Sequence, residues 1–210
     1  MPVQLKKDMT ILFQGDSITD CFRGSFGCGE MGGGYASMAS AELSERFPEL
    51  KPAFINRGIS GDCIEDLYYR WQRDCLDLKP DIVSILVGIN NVRQEYEGLR
   101  DADNSTFYTT YYQILQRTRE TVNPQFIICE PFLLNVSKQV LPLRKNLDEK
   151  IKIIKKLAEE FRAVFVPFDT LFTEASKKAK PSHWAPDGVH PTPAGHTLMA
   201  REWVAQVIGT

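Results

Sequence analysis

Thr10-Ile11-Leu12-Phe13-Gln14-Gly15-Asp16-Ser17-Ile18-Thr19-Asp20 is the stretch from which the fold reads outward. Thr10 to Gln14 is β-branched, aliphatic and aromatic over the length of a buried strand. The run stops at Gly15, which tolerates the tight backbone of a strand exit, and Ser17 follows two residues later. Ligands in open α/β sheets bind beyond the carboxyl ends of the strands, so a hydroxyl here stands where a reacting group is useful. Asp16, Ser17 and Thr19 are also good helix N-caps. On this stretch alone a capping role is the simpler reading.

Downstream, strands and helices alternate. Tyr35 to Phe47 reads as a helix that stops before Pro48, and Lys51 to Asn56 as a second strand closed by Arg57-Gly58-Ile59-Ser60-Gly61. Asp62 is expected to cap a helix carrying Ile64, Leu67, Tyr68, Trp71 and Leu76 towards one side, ended by Lys79-Pro80. Asp81 to Val87 is nearly all apolar, as a central parallel strand should be, and runs into Gly88-Ile89-Asn90-Asn91. After a polar loop come a helix over Thr106 to Val122 and a strand over Gln125 to Cys129. Leu143 to Phe161 follows, with Leu147, Ile151, Ile154, Leu157 and Phe161 at helical spacing. Ala163 to Val166 is a fifth strand, Phe168 to Lys178 a short helix, and Ala179 to Thr192 an irregular loop. Pro193 opens the closing helix, with Thr192 as its cap. The alternation predicts an α/β fold, a three-layer α/β/α sandwich on a mostly parallel five-stranded sheet. With no repeat or linker in sight, residues 1–210 are expected to form a single domain.

The composition removes several classes of function. A net charge of −2 leaves no footprint for nucleic acid or an acidic membrane surface. No apolar run approaches a membrane span, and the short one behind Lys6 and Lys7 reads as a first strand, not a signal peptide. The 5 cysteines (Cys21, Cys28, Cys63, Cys75, Cys129) include no Cys-x-x-Cys pair, so neither a disulfide framework nor a zinc site is indicated. A cytoplasmic location is the simplest expectation.

Three strand exits look alike: Gly15-Asp16-Ser17, Asn56-Arg57-Gly58 and Gly88-Ile89-Asn90. Each would serve as an ordinary turn. A fourth element changes their weight. In Asp187-Gly188-Val189-His190-Pro191 a carboxylate and an imidazole are three residues apart. One turn of chain can set Asp187 on Nδ1 and leave Nε2 free to take a proton from a hydroxyl. Pro191 restricts the backbone of His190. Of the other histidines, His196 falls in the closing helix, where packing or capping is the better expectation, and His183 has no assigned role.

Gly15-Asp16-Ser17-Ile18-Thr19, Gly58, Gly88-x-Asn90 and Asp187-x-x-His190 resemble the four blocks of the SGNH/GDSL hydrolases, in order and at about their spacing. The likeness is greatest to the bacterial serine acetylxylan esterase-like carbohydrate esterases, through Gly15 to Cys21, Arg57 to Gly61, Lys79-Pro80-Asp81 and Val189-His190-Pro191. The resemblance implies Ser17 as nucleophile, His190 as general base and then acid, and Asp187 as the residue that orients His190. It implies an oxyanion hole made by the Ser17 and Gly58 N–H groups and the Asn90 amide. The implied activity is deacylation of a small-molecule or oligosaccharide ester, foremost an acetylated sugar, with no cofactor and no metal. A general short-chain carboxylesterase, a lysophospholipase or a thioesterase would use the same machinery. The resemblance is compatible with a homo-oligomer, which composition neither requires nor excludes. One position departs from the pattern: Asn91 stands where the family more commonly has a carboxylate.

Competing motifs are weaker. Gly27-Cys28-Gly29-Glu30-Met31-Gly32 matches the dinucleotide string G-x-G-x-x-G, but that string carries meaning only directly between a strand and its helix. Within Gly24 to Gly34 it reads as a flexible loop beside Ser17, one wall of a pocket. A metal-dependent hydrolase using Asp187, His190 and His196 has acceptable ligand types at untypical spacing. A catalytically silent carbohydrate-binding protein is opposed by the presence of all three triad residues. Tyr35, Tyr96 and Trp184 could stack on a sugar, with a place in the core as the default expectation for each.

Overall fold

In the computed structural model, which describes residues 2–25, 27–99 and 103–209, the first strand ends where the apolar run does. Strand β1 (Thr10–Gly15) is followed by one turn of helix, α1 (Ser17–Asp20), and then by α2 (Tyr35–Arg46), β2 (Ala53–Asn56) and α3 (Ile64–Asp74). Strand β3 (Ile82–Leu86) leads into α4 (Ile89–Tyr96) and α5 (Asn104–Thr121), and β4 (Gln125–Cys129) into α6 (Leu141–Glu160). Strand β5 (Val164–Val166), α7 (Phe168–Ala175), the short α8 (Pro181–Trp184) and α9 (Pro193–Ile208) complete the order. The sheet runs β2-β1-β3-β4-β5 with every pairing parallel. From β1 the chain goes outward to β2 and then returns to β3 on the other side. The β1/β3 boundary is therefore the topological switch point, where such sheets open a crevice at their carboxyl edge.

Side chains alternate across the sheet as the pleat requires. Ile11 and Phe13 join one core with α2, α7 and α9; Leu12, Val83 and Ile85 join the other with α3 and α5. Helix α6 divides itself, giving Leu147 and Ile151 to the first core and Ile154 and Leu157 to the second. Fully burying side chains of this size contributes about 1.5–3 kcal/mol each. The one polar side chain facing inward in β3, Ser84, accepts a bond from the indole of Trp203 at 3.0 Å. Among the described residues no helix is long and apolar enough to cross a membrane.

Besides α8, which forms within the expected irregular loop Ala179 to Thr192, the structure departs from the expected elements in three places. Asp62 does not cap α3: Cys63 is the N-cap, its N–H held by Asp66 at 2.8 Å, and the Asp62 carboxylate is taken by Arg70 at 2.7 Å. Helix α4 occupies what reads as the start of a polar loop. Its sequence, INNVRQEY, has no side-chain cap, and Gly88 enters it at φ 137°, so no propensity signal marks its start. Tyr68 lies exposed at the rim of α3, not among its buried residues.

Candidate active site

The local sequence puts the Ser17 hydroxyl at a helix N-terminus. Gly15 leaves β1 at φ 158°, and a Cβ there would lie 2.3 Å from the Leu86 carbonyl oxygen, so only glycine lets β1 turn this closely against β3. Asp16 is the cap of α1, accepting the Ile18 N–H at 3.0 Å, which makes Ser17 the first helical residue. The capping reading thus belongs to Asp16. Ser17 is left with its hydroxyl 2.9 Å from His190 Nε2, and among the described residues its N–H meets no acceptor.

His190 and Asp187 come from the loop between α8 and α9. His190 Nδ1 lies 2.6 Å from Asp187 Oδ2, and Asp187 Oδ1 accepts the N–H groups of Val189 at 2.9 Å and His190 at 2.7 Å. Partial burial opposes ionisation of Asp187, but the bonds from the His190 ring and then the two backbone N–H groups outweigh it and hold the carboxyl below the usual range. An ionised Asp187 makes Nδ1 the protonated ring nitrogen, so Nε2 faces Ser17 as an acceptor. The loop is anchored from behind where Leu134 N–H donates to the Gly188 carbonyl at 2.9 Å.

The other two strand exits flank this chain. Gly58 is needed for close approach: a Cβ would lie 2.4 Å from the Asp20 backbone nitrogen in α1. Its N–H already donates to Asn56 Oδ1 at 2.8 Å, so an oxyanion would have to share or take over that bond. Asn90, the second residue of α4, donates one amide hydrogen to the Asp62 carbonyl at 3.0 Å and keeps the other uncommitted among the described residues. Asn91 is buried and ties α4 to the start of α3, accepting from Ile64 N–H at 3.1 Å and donating to Glu65 at 2.8 Å. A carboxylate could make the first of these bonds but not the second.

Asn56 carries more than its place at a strand end suggested. Its buried amide donates to the Thr19 carbonyl at 2.6 Å and the Met31 carbonyl at 2.9 Å, fastening α1 and the Gly-rich loop together. A buried Asn closing a strand was the signal available. Asp16 is the second such residue: burial pushes its carboxyl up to about 7, against the bond from the Ile18 N–H and the attraction of the His190 imidazolium when it forms, which lower it.

The remaining candidates fall outside the cluster. His196 is a cap, as expected for the closing helix, but of α2: its Nδ1 accepts the Tyr35 N–H at 3.1 Å, and Nε2 faces Cys21 Sγ at 3.5 Å. Burial, helped by the His190 charge, lowers its pKa to about 4, so the ring stays neutral. With both nitrogens engaged, His196 is no third ligand beside Asp187 and His190; among the described residues no cluster suited to a metal ion occurs. His183 is exposed, edge-on to Trp184 with centroids 4.7 Å apart. Tyr35 is wholly buried. The G-x-G-x-x-G string lies in turns beyond α1, not at the mouth of β1, and Phe26 of the Gly24–Gly34 loop falls outside the described residues. Tyr96, by contrast, is exposed and lines a cleft of about 480 Å³ together with Arg93, Ser137, Gln139, Pro186 and Asp187.

Residues 13–198 match the model of the GDSL-like lipase/acylhydrolase family. The chain belongs to that family. This GDSL-family chain is 35% identical to an acetylxylan esterase of Geobacillus stearothermophilus over 206 residues, 94% of its own length and 93% of the relative's. The crystal structure of Axe2, an acetylxylan esterase from the same organism, superposes with a TM-score of 0.88 at 33% identity, covering 98% of this chain and 96% of the other. A protein of Parabacteroides merdae provisionally described as a GDSL-like lipase superposes with a TM-score of 0.91 at 38% identity, covering 99% of both chains. The chain is accordingly a carboxylic ester hydrolase with the SGNH fold.

Proposed function

We propose that this acylhydrolase is a serine esterase that removes acetyl groups from acetylated sugars or short xylo-oligosaccharides through an acyl-serine intermediate. The observation that carries the reading is the unbroken relay from Ser17 Oγ to His190 Nε2 at 2.9 Å and from His190 Nδ1 to Asp187 Oδ2 at 2.6 Å. Ser17 attacks the ester carbonyl while Nε2 takes its proton, and the imidazolium is stabilised by the ionised Asp187. The tetrahedral oxyanion is received by the Ser17 N–H, the free N–H of Asn90 and, once it releases Asn56, the Gly58 N–H. His190 then gives its proton to the sugar oxygen as the ester C–O bond breaks, releasing the sugar hydroxyl, and water, activated in the same way, attacks acyl-Ser17 to release acetate and restore Ser17.

The acetyl and sugar preference is supported by the similarity to acetylxylan esterases and by the polar cleft that reaches Asp187. Its size is within the usual range for small-ligand sites, about 300–1,000 Å³. We also infer a cytoplasmic enzyme, since among the described residues no disulfide links any two of its 5 cysteines, and three of them, Cys63, Cys75 and Cys129, are buried.

A substrate panel tests the reading: acetylated xylosides against p-nitrophenyl esters from acetate to laurate, on the native chain and on Ser17→Ala. A steep fall beyond the shortest acyl chain and loss of turnover in the folded Ser17→Ala variant are expected. Preference for long chains would replace the deacetylase reading with a lipid one. Near-full activity of Ser17→Ala would remove Ser17 from the mechanism.

A further inference from the structure

We infer that Arg70 is a positioning residue of the oxyanion hole, a buried guanidinium that locks the strand exit carrying Ser17 to the loop that holds Asn90. The inference rests on the reading of Asn90 as an oxyanion donor. Arg70 lies on α3, outside the family blocks, and its side chain is only 10% exposed. An arginine is removed from water to that extent only where its donors are met by acceptors.

Its partners come from three separate pieces of chain. Nε donates to Asp62 Oδ2 at 2.7 Å, in the loop before α3. Nη1 donates to Gln14 Oε1 at 2.9 Å and to Asp74 Oδ2 at 3.2 Å, and Nη2 to the Gly15 carbonyl at 3.4 Å. Gln14 and Gly15 are the last residues of β1, immediately before Asp16 and Ser17. Gln14 is fully buried and its amide donates in turn to the Asp74 carbonyl at 2.6 Å, so the end of β1 is gripped by two successive turns of α3.

The Asp62 end leads to the other half of the site. Asp62 is the residue whose backbone carbonyl accepts the Asn90 amide at 3.0 Å, and that bond selects which amide hydrogen remains for an oxyanion. Arg70 thus holds the residue that orients Asn90 through its carboxylate and the residue that launches Ser17 through its carbonyl. The two donors sit on opposite sides of the β1/β3 switch point, and sheet pairing there ends at Gly15 and Leu86. Among the described residues no β1/β3 ladder bond continues beyond that point; the Ile59 N–H bond to the Gly15 carbonyl at 3.0 Å ties Ser17's exit to the loop before α3, and the planar fork of Arg70 reinforces that tie from the side chains. Lysine carries the charge but has no fork with which to span three acceptors.

A double-mutant cycle on kcat for p-nitrophenyl acetate tests the assignment, using Arg70→Met, Arg70→Lys and Asn90→Ala. Displacement of a reacting group by about 1 Å costs about a hundredfold. The expected result is a fall in kcat of about ten- to a hundredfold in both Arg70 variants with KM little changed. The same substitutions should cost clearly less in the Asn90→Ala background, because the share of their effect that runs through Asn90 is already lost while the share that runs through Ser17 remains. If the Arg70 and Asn90 losses multiply in full, Arg70 does not act through Asn90 and the assignment fails. An Arg70→Lys variant with native kcat overturns it equally. Should Arg70→Met fail to fold, Arg70→Lys carries the cycle alone. An Asn90→Ala variant with unchanged kcat would instead refute Asn90 as an oxyanion donor, a separate failure visible before any Arg70 variant is made.

Discussion

Replacing Asp187 by asparagine tests the proposed triad more sharply than deleting it. The two carboxylate oxygens have different partners: Oδ1 accepts Val189 and His190 N–H at 2.9 and 2.7 Å, while Oδ2 faces His190 Nδ1 at 2.6 Å. Asparagine has one acceptor oxygen to place. Set at Oδ1 it keeps two backbone bonds, each worth about 1 kcal/mol net; turned round it would drive an NH2 group against two N–H donors. The amide nitrogen therefore faces Nδ1, which must become the acceptor, and the ring proton moves to Nε2. That nitrogen then donates to Ser17 Oγ instead of taking its proton. In Ser-His-Asp hydrolases the same exchange lowers kcat by about 10⁴, or about 5.5 kcal/mol at about 1.4 kcal/mol per decade. The fold should hardly notice, because the loop keeps both backbone bonds. The assay is kcat on p-nitrophenyl acetate across the neutral to mildly alkaline range, with thermal unfolding in parallel. A kcat within about tenfold of the native enzyme at native stability would refute the tautomer argument.

Two further outcomes follow from neighbouring residues. Burial raises the Asp16 carboxyl from 3.8 to about 7, so between those pH values the folded chain holds a proton that the unfolded chain has lost. Stability from this group is therefore highest at low pH and falls as pH rises through that window, by up to about 1.4 kcal/mol per unit. Asp16→Asn, whose Oδ1 can still cap α1, should flatten that part of the native-minus-variant stability profile; a difference that does not change with pH would show an unperturbed Asp16. Gly58→Ala places a methyl group 2.4 Å from the Asp20 nitrogen, a backbone atom that can yield only if α1 moves. Overpacking of this kind costs about 1–3 kcal/mol, and because α1 carries Ser17, kcat should fall with it. Native kcat and unfolding midpoint together would show that α1 has room to shift.

How much was legible in the chain differs by the range of the interaction. Strand β1 and the strand over Gln125 to Cys129 are short apolar runs and the core face of α6 is a helical spacing of apolar residues, and these local patterns read directly. Helix α4 did not, because its start rests on the backbone of Gly88 and on Asn91, whose bonds reach α3. Asp62 read as a cap because a carboxylate before a helix usually is one. Its capture by Arg70 is a contact between side chains whose meeting depends on the packed structure.

The opening stretch shows the same division. Sequence alone determined that an apolar strand ends at a glycine and delivers a short polar run containing Ser17. It determined too that Asp187 and His190 lie close enough along the chain to pair. Which of Asp16 and Ser17 caps α1 was decided only by the tertiary structure, through the Ile18 N–H bond to Asp16. So was the meeting of Ser17 with His190, 173 positions apart, at 2.9 Å. The physical reason is that an apolar strand run and a pairing within three residues are satisfied by local backbone geometry, whereas the choice of cap depends on how Gly15 turns against β3. Joining β1 to a loop beyond β5 requires the whole sheet, with its switch point between β1 and β3, to be in place first.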